Sequence, residues 1–360
     1  MDMTTGKKKI FVGVSGGVDS SVSAALLKEQ GHDVTGVFIR TWQPDWIECT
    51  WKDERRDAMR VCAHLEIPFV ELDLEQEYKQ GVADYMIAEY RAGRTPNPDV
   101  MCNKEVKFGG FLKWALEHGA DAVATGHYAQ NIFNEETKMY EMHKGKDQSK
   151  DQSYFLWTLT QEQLVHVLFP VGHLEKSAVR ELAEKFELPT ATKKDSQGIC
   201  FIGKISMKDF LGHYIDEQSG NVIDTEGNVI GTHTGALFFT LGERHGFTIT
   251  KKGTDDQPYY VVAKNVEDNT ITVSQDPDEH SNNAQELHLE NVNWASAVPN
   301  MGGSYTGQIR YHGEQKPFTI AGLKNDYMVI KLDHADSTIA AGQSFVMYHG
   351  TQCLGGGVIQ

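Results

Sequence analysis

The stretch Ser15-Gly16-Gly17-Val18-Asp19-Ser20-Ser21 follows an apolar run at residues 9–14 and precedes apolar residues at helical spacing. The run predicts a buried parallel strand, and residues 18–30 predict a helix that Gly31 ends. Two adjacent glycines at a strand-to-helix turn let a phosphate approach the backbone amides, where the helix dipole also favours an anion. The sequence therefore predicts a phosphate-binding loop at the start of an α/β domain.

This loop lacks the Gly-Lys-Ser/Thr string of the Walker loop. It resembles instead the SGGxDS pyrophosphate loop of the N-type ATP pyrophosphatases. That resemblance implies ATP, with Mg²⁺, as the reagent that adenylates an oxygen and releases pyrophosphate. An ordinary Gly-rich turn is the alternative interpretation.

The composition is that of a soluble protein with two or three domains: 360 residues, 40% hydrophobic and 23% charged. Apolar runs are too short for a membrane span, and the N-terminus lacks the apolar core of a signal peptide. The five cysteines form no CxxC pair and no zinc-ligand spacing, which is typical of a reducing compartment. We therefore expect a cytoplasmic protein with no membrane partner and no protein-bound structural metal.

The net charge of −16 argues at first against a nucleic-acid partner. The charge is uneven, however, because residues 216–290 contain 14 acidic and 4 basic residues, a net of −10. The rest of the chain is close to balanced, and the global charge therefore does not exclude RNA binding.

The first part of the chain alternates apolar strands with amphipathic helices. The pattern predicts strands at 9–14, 34–39, 69–74 and 121–125, and helices at 18–30, 51–65, 75–91, 104–118 and 175–187. Such alternation predicts a doubly wound parallel sheet that binds ligands outside the carboxyl ends of its strands. We assign this α/β domain to residues 1–210, with a hairpin insertion at 131–143.

After about residue 210 the helical spacing disappears and short β-rich runs follow one another. We expect a small, acidic, mainly β central domain at 211–282 and a barrel-like C-terminal domain at 283–360. The predicted strands lie at 236–241, 259–263, 270–273, 305–311, 318–321, 328–332 and 344–348. The polar, acidic stretch 275–285 is expected to link the two domains.

Two cysteines lie in loops unlike ordinary core sequence. The segment 95–103, TPNPDVMCN, has two prolines that favour extended backbone just before a predicted helix. Cys102 then lies near the helix N-terminus with Lys104 and Lys107 close in sequence, and both features favour the reactive thiolate. Cys200, in a Gly-containing loop beside two lysines, is the second candidate. A small buried apolar side chain is the alternative for each, and the interpretation for the other three cysteines.

Together with the phosphate loop, these loops resemble the tRNA-specific 2-thiouridylase family along essentially the whole chain. The resemblance rests on strings that occur in the family's order and spacing. They are GVSGGVDS at 13–20, NPD at 97–99 leading to CNKEVKFG at 102–109, ATGHY at 124–128, KDQSYF at 150–155 and DSQGIC at 195–200. Most of these strings are uncommon.

The resemblance implies a role for each matching position. It assigns ATP binding to Gly13, Val14, Ser15, Gly16, Gly17, Val18, Asp19, Ser20, Ile39 and Gly126. It assigns the target base to Asn97, Pro98 and Asp99, with Asp99 as a candidate acid/base group. It assigns tRNA contacts to His127, Lys150, Asp151, Gln152, Arg310, Tyr311 and Gln343. Cys102 corresponds to the nucleophile and Cys200 to the cysteine that carries the persulfide.

Some of these positions have other interpretations when the residues are considered alone. Ile39 stands where the family usually has a methionine, which is harmless if adenine is contacted through the main chain. The pair Arg310-Tyr311 is more often a solvated strand edge than an RNA contact. His127 can equally be a satisfied histidine at a strand end.

The resemblance implies ATP-dependent 2-thiolation of the wobble uridine of tRNA, with glutamate, glutamine and lysine tRNAs as the acceptors. The expected products are 2-thiouridine, AMP and pyrophosphate, with the sulfur coming as a persulfide from a cysteine desulfurase or a sulfur-carrier protein. A Cys102–Cys200 disulfide would form during turnover. Two other classes remain open: an adenylating enzyme that uses ammonia or an amine, and a non-catalytic RNA-binding or redox-sensing protein.

Overall fold

The computed structural model describes most of the chain. The described residues are 6–47, 51–194, 205–250, 257–276, 279, 284–296, 298–300, 302–324, 327–336 and 339–360. Cys49 and Cys200, and with Cys200 the whole DSQGIC string, lie outside these residues.

The first part of the chain contains seven strands within the described residues. They are β1 (Lys9–Gly13), β2 (Asp33–Arg40), β3 (Phe69–Asp73), β4 (Ala122–Ala124), β5 (Ala129–Asn134), β6 (Met139–Lys144) and β7 (Val167–Leu168). The α-helices are α1 (Val18–Glu29), α2 (Trp51–His64), α3 (Glu75–Tyr78), α4 (Tyr85–Arg91), α5 (Pro98–Met101), α6 (Leu112–Glu117), α7 (Gln161–Leu164) and α8 (Lys176–Lys185). A π-helical segment, Lys79–Asp84, joins α3 to α4, and a second, Cys102–Phe111, joins α5 to α6. The predicted alternation is therefore confirmed.

The helix predicted at 104–118 begins six residues earlier, at Pro98. The Asn97 side chain accepts a hydrogen bond from the Val100 amide at 3.2 Å and so caps the helix. Pro98 occupies the first helical position, where its missing N–H costs nothing. Asn97, the residue before Pro98, is extended as predicted, and the earlier helix start brings Asp99 into the same helical run as Cys102.

The five parallel strands pair in the order β3-β2-β1-β4-β7. Central strand β1 is buried on both faces: Ile10 and Val12 pack in the core that includes α1, α2 and α8, and Phe11 packs in the core on the opposite side. Burial on both faces explains the unbroken apolar run. The chain proceeds from β1 to β3 in one direction and then returns to place β4 on the other side of β1. The topological switch point, where such sheets bind ligands, therefore lies between β1 and β4.

The middle of the chain forms a second sheet. Its elements are α9 (Met207–Leu211), β8 (Gly220–Ile223), β9 (Val229–His233), β10 (Phe247–Ile249), β11 (Tyr260–Asn265) and β12 (Thr270–Ser274). The strands pair in the order β10-β9-β8-β12-β11. The strands predicted at 259–263 and 270–273 are confirmed.

The strand predicted at 236–241 is wrong, because the structure has only a 3₁₀ turn there, at Ala236–Phe238. Gly235 enters this turn with φ of +149°, and Ala236, Phe238 and Phe239 are all buried. The apolar residues therefore fill the core from a turn and do not alternate along a strand. Strands β8 to β10 went unpredicted because they are only three to five residues long, too short for a clear alternating pattern.

Among its described residues, the C-terminal part contains six strands, which form a closed antiparallel barrel. They are β13 (Ala284–Trp294), β14 (Tyr305–Gln308), β15 (Lys316–Lys324), β16 (Tyr327–Asp336), β17 (Ser344–His349) and β18 (Gln352–Ile359). Pairing runs β13-β16-β15-β14-β17-β18, and β18 pairs with β13 to close the barrel. The barrel-like prediction is confirmed. Strand β18 gave a weak signal because of its three adjacent glycines; a Cβ on Gly356 would lie 2.6 Å from the Phe345 carbonyl oxygen.

The barrel is joined to the first domain through the predicted hairpin. Strands β5 and β6 form this hairpin, and β6 pairs with β18, with His143 opposite Gln352 and Met142 opposite Cys353. Side-chain hydrogen bonds also join the two domains. The side-chain amide of Asn293, in the barrel, donates to the carbonyls of Trp157 at 2.8 Å and Leu159 at 2.9 Å, in the first domain. The first domain and the barrel therefore share one continuous sheet.

We predict that the first domain and the barrel unfold in a single transition, and that Asn293→Ala lowers its free energy by about 1–2 kcal/mol. The variant leaves two buried carbonyls without their amide donor. Urea unfolding followed by tryptophan fluorescence measures this change. Asn228→Ala is the control, because Asn228 bonds only across a surface turn of the middle sheet. Separate transitions, or an equal cost for both variants, would contradict the shared-sheet interpretation.

Candidate functional site

The predicted phosphate loop lies at the carboxyl end of β1, and α1 begins directly after it. Gly17 is the N-cap of α1. The hydroxyls of Ser20 and Ser21 both donate to the Gly17 carbonyl, at 3.2 and 2.6 Å, and the Ser15 hydroxyl lies 3.3 Å from that of Ser20. These contacts fix the loop's own shape. The backbone amides at the start of α1 remain the groups that suit an anion.

The glycines of this site differ in whether a side chain would fit there. Gly16 has φ of +73°, and a Cβ there would lie 2.5 Å from the Glu54 carbonyl oxygen of α2. A Cβ on Gly126, just after β4, would lie 2.6 Å from the Ser20 amide nitrogen. Both glycines therefore let backbone segments pack closely. Gly17 is different, because a Cβ there would meet only the Ser15 hydroxyl, at 3.4 Å. The structure thus brings Gly126 to the phosphate loop, as the sequence predicts.

Asp19 lies at the start of α1 in a small polar cluster. Its Oδ1 accepts hydrogen bonds from the Tyr128 hydroxyl at 2.7 Å and from the Lys176 ammonium at 2.6 Å. Sequence reasoning missed Lys176, which is the first residue of α8 and has a side chain only 14% exposed. A lysine in the first turn of a helix opposes the helix dipole. That unfavourable placement is the signal in the sequence that could have identified it.

The other residues predicted to bind ATP lie in or next to β1, α1 and β2. Val14 and Val18 are buried, and the Val14 amide donates to the Val37 carbonyl of β2 at 2.8 Å. Ile39 lies near the end of β2 and is partly buried against the larger core. The main chain at Ile39 is paired with β3 opposite Leu72. Its role in adenine binding stays a prediction.

The segment predicted to meet the target base lies between the first domain and the barrel. The Thr95 amide donates to the Ala341 carbonyl of the barrel at 2.8 Å. The Asn97 side chain also hydrogen-bonds the Tyr154 hydroxyl. Burial raises the pKa of Asp99, and the nearby ammonium of Lys107 opposes part of that rise. A half-buried carboxyl with a raised pKa is suited to general acid/base work.

Cys102 lies one turn into this helix and is only 4% exposed. Of the two lysines predicted to lie close to it, Lys104 has a side chain that is 51% exposed and pairs with Glu105 at 3.3 Å. Lys107 is half-buried. The distance from Cys102 to Cys200 is not described, because Cys200 lies outside the described residues. The roles of both thiols therefore stay predictions.

Two other cysteines behave as buried apolar residues. Burial raises the pKa of Cys62 to about 11, and it also raises the pKa of Cys353, which is fully buried. Neither has the character of a reactive thiolate.

His127 lies in the interior of the first domain, where it is 8% exposed. Its Nδ1 lies 2.7 Å from the Thr125 hydroxyl, and its ring packs near Phe108 and Phe169. Burial, together with Lys107, holds its pKa well below the usual value, so the ring is neutral at pH 7. This geometry favours the satisfied strand-end histidine; a direct contact with tRNA stays a prediction.

In the loop of the first domain that is predicted to contact tRNA, the side chains of Asp151 and Gln152 hold the loop's own conformation. Asp151 accepts from the Gly145 amide at 2.9 Å and from the Ser153 hydroxyl at 2.9 Å. The Gln152 side chain accepts from the Tyr128 amide at 3.0 Å. Lys150 is partly exposed beside them. Asp151 and Gln152 therefore shape the loop, and Lys150 adds a partly exposed positive charge to it.

The barrel brings its predicted residues to the same place. The Tyr311 ring lies 4.4 Å from that of Phe155, and the pKa of Tyr311 is raised by burial and, further, by Asp151 and Asp99. Arg310 donates to the Leu241 carbonyl of the middle domain at 3.4 Å. Gln343 follows Gly342, where an added Cβ would lie 3.0 Å from the Thr95 backbone. Residues from three parts of the chain thus converge around Asn97–Cys102.

Within the residues that the structure describes, no group of three or more His, Cys, Asp or Glu side chains has a metal-binding arrangement. A search of the same residues finds no helix with the length and apolar character needed to cross a membrane.

Comparison with protein families gives three matches along the chain. Residues 8–204 match a model described as a tRNA methyl transferase HUP domain, and 208–275 match a tRNA methyl transferase PRC-barrel domain. Residues 284–359 match an aminomethyltransferase β-barrel domain. The three segments follow the sheet domain, the middle sheet and the barrel described above.

Full-length relatives give the family more directly. The chain is 43% identical to tRNA-specific 2-thiouridylase MnmA of Streptococcus thermophilus, over 98% of this chain and 95% of that protein. It is 44% identical to the enzyme of the same name from Klebsiella pneumoniae, over 99% and 98%. The corresponding protein of Stenotrophomonas maltophilia is 45% identical, over 98% and 93%. With this identity along both whole chains, the protein belongs to the tRNA-specific 2-thiouridylase family.

Proposed function

We propose that this protein catalyses the ATP-dependent 2-thiolation of the wobble uridine of tRNA. The observation that carries the proposal is the convergence at one edge of the first sheet. There the phosphate loop follows β1, and Phe111, in the helical run that contains Cys102, packs against the end of β1 near Gly13. From the barrel, Tyr311 lies within electrostatic reach of Asp99. Arg310 lies near Tyr154, which hydrogen-bonds Asn97. Family membership supports the same reaction.

Activation of the uridine oxygen by ATP is the first step of the proposal. The 2-carbonyl carbon of uridine is a poor electrophile and its oxygen is a poor leaving group. Attack of that oxygen on the α-phosphorus of ATP forms an O–P bond and releases pyrophosphate, so that AMP becomes the leaving group. The amides at the start of α1 bind the phosphates, and Lys176 is placed to add a positive charge.

Asp19 is the residue best suited to hold the Mg²⁺ that accompanies ATP. It lies at the start of α1, beside the amides that suit the phosphates, and carboxylate oxygens are what Mg²⁺ prefers. The ion would neutralise phosphate charge. Tyr128 and Lys176 orient the carboxylate for this role.

Sulfur transfer is assigned to the two cysteines. A cysteine desulfurase or a sulfur-carrier protein delivers sulfane sulfur to Cys200. In one order, the Cys200 persulfide attacks C2 and displaces AMP, and Cys102 then attacks the Cys200 sulfur and releases 2-thiouridine. In the other order, Cys102 attacks first and frees hydrosulfide, which displaces AMP. Both orders end in a Cys102–Cys200 disulfide that a cellular thiol reductant must reduce.

Asp99 is assigned to proton transfer at the base. Its carboxylate takes the N3 proton of uridine as the 2-oxygen attacks ATP, which places the negative charge on that oxygen. The raised pKa of Asp99 supports this assignment, because a more basic carboxylate is a better proton acceptor.

The tRNA is proposed to lie across the first domain and the barrel. The acidic excess of residues 216–290 disfavours phosphate contacts on the middle domain. Lys150, Arg310 and Gln343 line the favoured path, with glutamate, glutamine and lysine tRNAs as the proposed substrates. These substrates would place the protein in the cytoplasm.

The reaction is tested with Cys200→Ser protein supplied with desulfurase, ATP and unmodified tRNA, and thiolated nucleoside is measured by mass spectrometry. We expect loss of at least about 99% of the thiolation, because the oxygen of serine cannot carry sulfane sulfur. Cys62→Ala is the control and should keep its activity, since Cys62 is buried away from the site. Near-normal thiolation by Cys200→Ser would remove the persulfide role. An amine-dependent adenylating enzyme would tolerate both substitutions.

Nucleotide binding is tested at Gly17. We expect Gly17→Val to weaken ATP binding at least about tenfold, or about 1.4 kcal/mol, because its side chain occupies the space in front of the helix amides. The backbone tolerates the change, since φ at Gly17 is −90°. Gly212→Val, at an ordinary helix end in the middle domain, is the matched control. Calorimetry gives both affinities, and equal ATP binding by the two variants would argue against a phosphate loop here.

The tRNA path is tested with Arg310→Ala. We expect weaker tRNA binding, a lower salt dependence and unchanged ATP binding, because one phosphate contact is lost. Arg244→Ala, in the acidic middle domain, removes the same charge and should bind tRNA as well as the unmodified protein. Fluorescence anisotropy at two or more salt concentrations measures these differences. Cross-links from tRNA mainly to residues 216–290 would overturn the proposed path.

A further inference from the structure

The helix that contains Cys102 has an unusual winding. Residues Cys102–Phe111 are π-helical over ten positions, between the α-helical turns α5 and α6. Such winding is rare and is found mostly as single turns at functional sites. Nothing in the proposed reaction so far requires it.

The winding decides which side chains share a face with Cys102. Residues five apart in an α-helix lie about 140° apart around the axis, on opposite sides. A π-helical turn contains nearly one residue more than an α-helical turn, so Lys107 lies on the same side of the helix as Cys102. Asp99 and Lys107 are eight positions apart, so in an α-helix their side chains would point about 80° apart around the helix axis. The wider π turn removes most of that angle. Lys104, two positions after Cys102, points elsewhere.

The contacts agree with this geometry. The Lys107 ammonium lies 3.5 Å from Nε2 of His127, and the Lys107 side chain is half-buried. Lys104 instead pairs with Glu105 on the surface, with 51% of its side chain exposed. Of these two lysines of the helix, it is Lys107 that reaches the interior.

His127 fixes the direction of the Lys107 ammonium. The histidine is neutral because burial and Lys107 together hold its pKa well below the usual value. Since Lys107 can only donate, Nε2 accepts, and Nδ1–H is the donor to the Thr125 hydroxyl at 2.7 Å. The imidazole therefore acts as a rigid support for the lysine.

Asp99 lies within electrostatic reach of the Lys107 ammonium. Lys107 faces it from the same helix and lowers its pKa, and burial raises that pKa more strongly. From the barrel, Tyr311 faces the carboxyl group, and Arg310 lies near Tyr154 next to Asn97. A buried carboxylate without a nearby positive charge takes up a proton and then cannot accept one from a substrate.

We propose that Lys107 is a positioning residue, which the π-helical winding turns inward and His127 orients, and which keeps Asp99 ionised for proton transfer at the target base. The proposal rests on the function proposed above, and it gives the π-helical segment and the buried His127 a common purpose. It also assigns the electrostatic role to the lysine that is farther from Cys102 in sequence.

The first test is the pH dependence of thiolation by Lys107→Met. Removal of the ammonium lets burial raise the pKa of Asp99 further, so a higher pH is needed to ionise it. We expect the acidic limb of the pH–rate profile to move up by roughly one unit, with about tenfold slower thiolation below it. Lys107→Arg should restore much of the profile. Lys104→Met, with the same charge change on the same helix, should leave it unmoved.

The second test needs no activity. A double-mutant cycle of Asp99→Asn and Lys107→Met measures their coupling in urea unfolding. We expect a coupling of about tenfold in the folding equilibrium constant at pH 7, which disappears at a pH low enough to protonate Asp99. If the unmodified protein fails to thiolate tRNA, the proposed function is refuted. The double-mutant cycle can still be interpreted in that case, because it measures folding stability and not activity. Equal rate loss at every pH in Lys107→Met, or no coupling in the cycle, would overturn the role of Lys107.

Discussion

Strand β6 belongs to the first domain by sequence, yet its backbone pairs with β18 of the C-terminal barrel. This pairing extends the barrel sheet to eight strands and fixes the barrel against the parallel sheet. The segment that follows the hairpin is then held inside the interface, where Trp157 donates to the Ser344 hydroxyl at 3.0 Å. Because the site contains residues from both domains, its geometry depends on this shared sheet.

The consequences are clearest around Asn97. The Tyr154 hydroxyl contacts Asn97 and lies 2.9 Å from the Ile309 carbonyl oxygen, one residue before Arg310. A shift of the barrel by even one strand position would separate these groups, since a one-residue slip turns every side chain of a strand to the other face. The closed barrel prevents such a slip, because its strands are paired on both sides.

Close packing controls the phosphate loop in a similar way. Gly16 and Gly126 let α2 and the end of β4 approach the loop backbone to distances that a Cβ would forbid. Burial also disfavours the charged forms of titratable side chains around the helix of Cys102. Asp99, His127 and Lys107 lie there, in or near the interior. The three groups support one another, since an acceptor nitrogen orients the ammonium and the ammonium offsets the burial of the carboxyl.

Local patterns were sufficient for much of the fold. The unbroken apolar run of β1, buried on both faces, and the helical spacing after Val18 predicted the parallel sheet and its phosphate loop. The strings at 13–20, 97–109, 124–128, 150–155 and 195–200 predicted the family, because their order and spacing match it. By contrast, the local pattern gave a weak signal for β18 and a wrong strand at Ala236–Phe238. The glycines and apolar residues of these segments are placed by packing against residues far along the chain.

The sequence by itself thus determined the parallel-sheet domain, the position of the phosphate loop and the candidate cysteines, all of which depend on residues near one another in the chain. Only the tertiary structure decided that Lys176 meets Asp19, that His127 is interior, and that Lys107 rather than Lys104 reaches His127. These outcomes depend on helix winding and on contacts between residues up to 157 positions apart. Local spacing carries no information on such contacts, because they arise only when separate elements pack together.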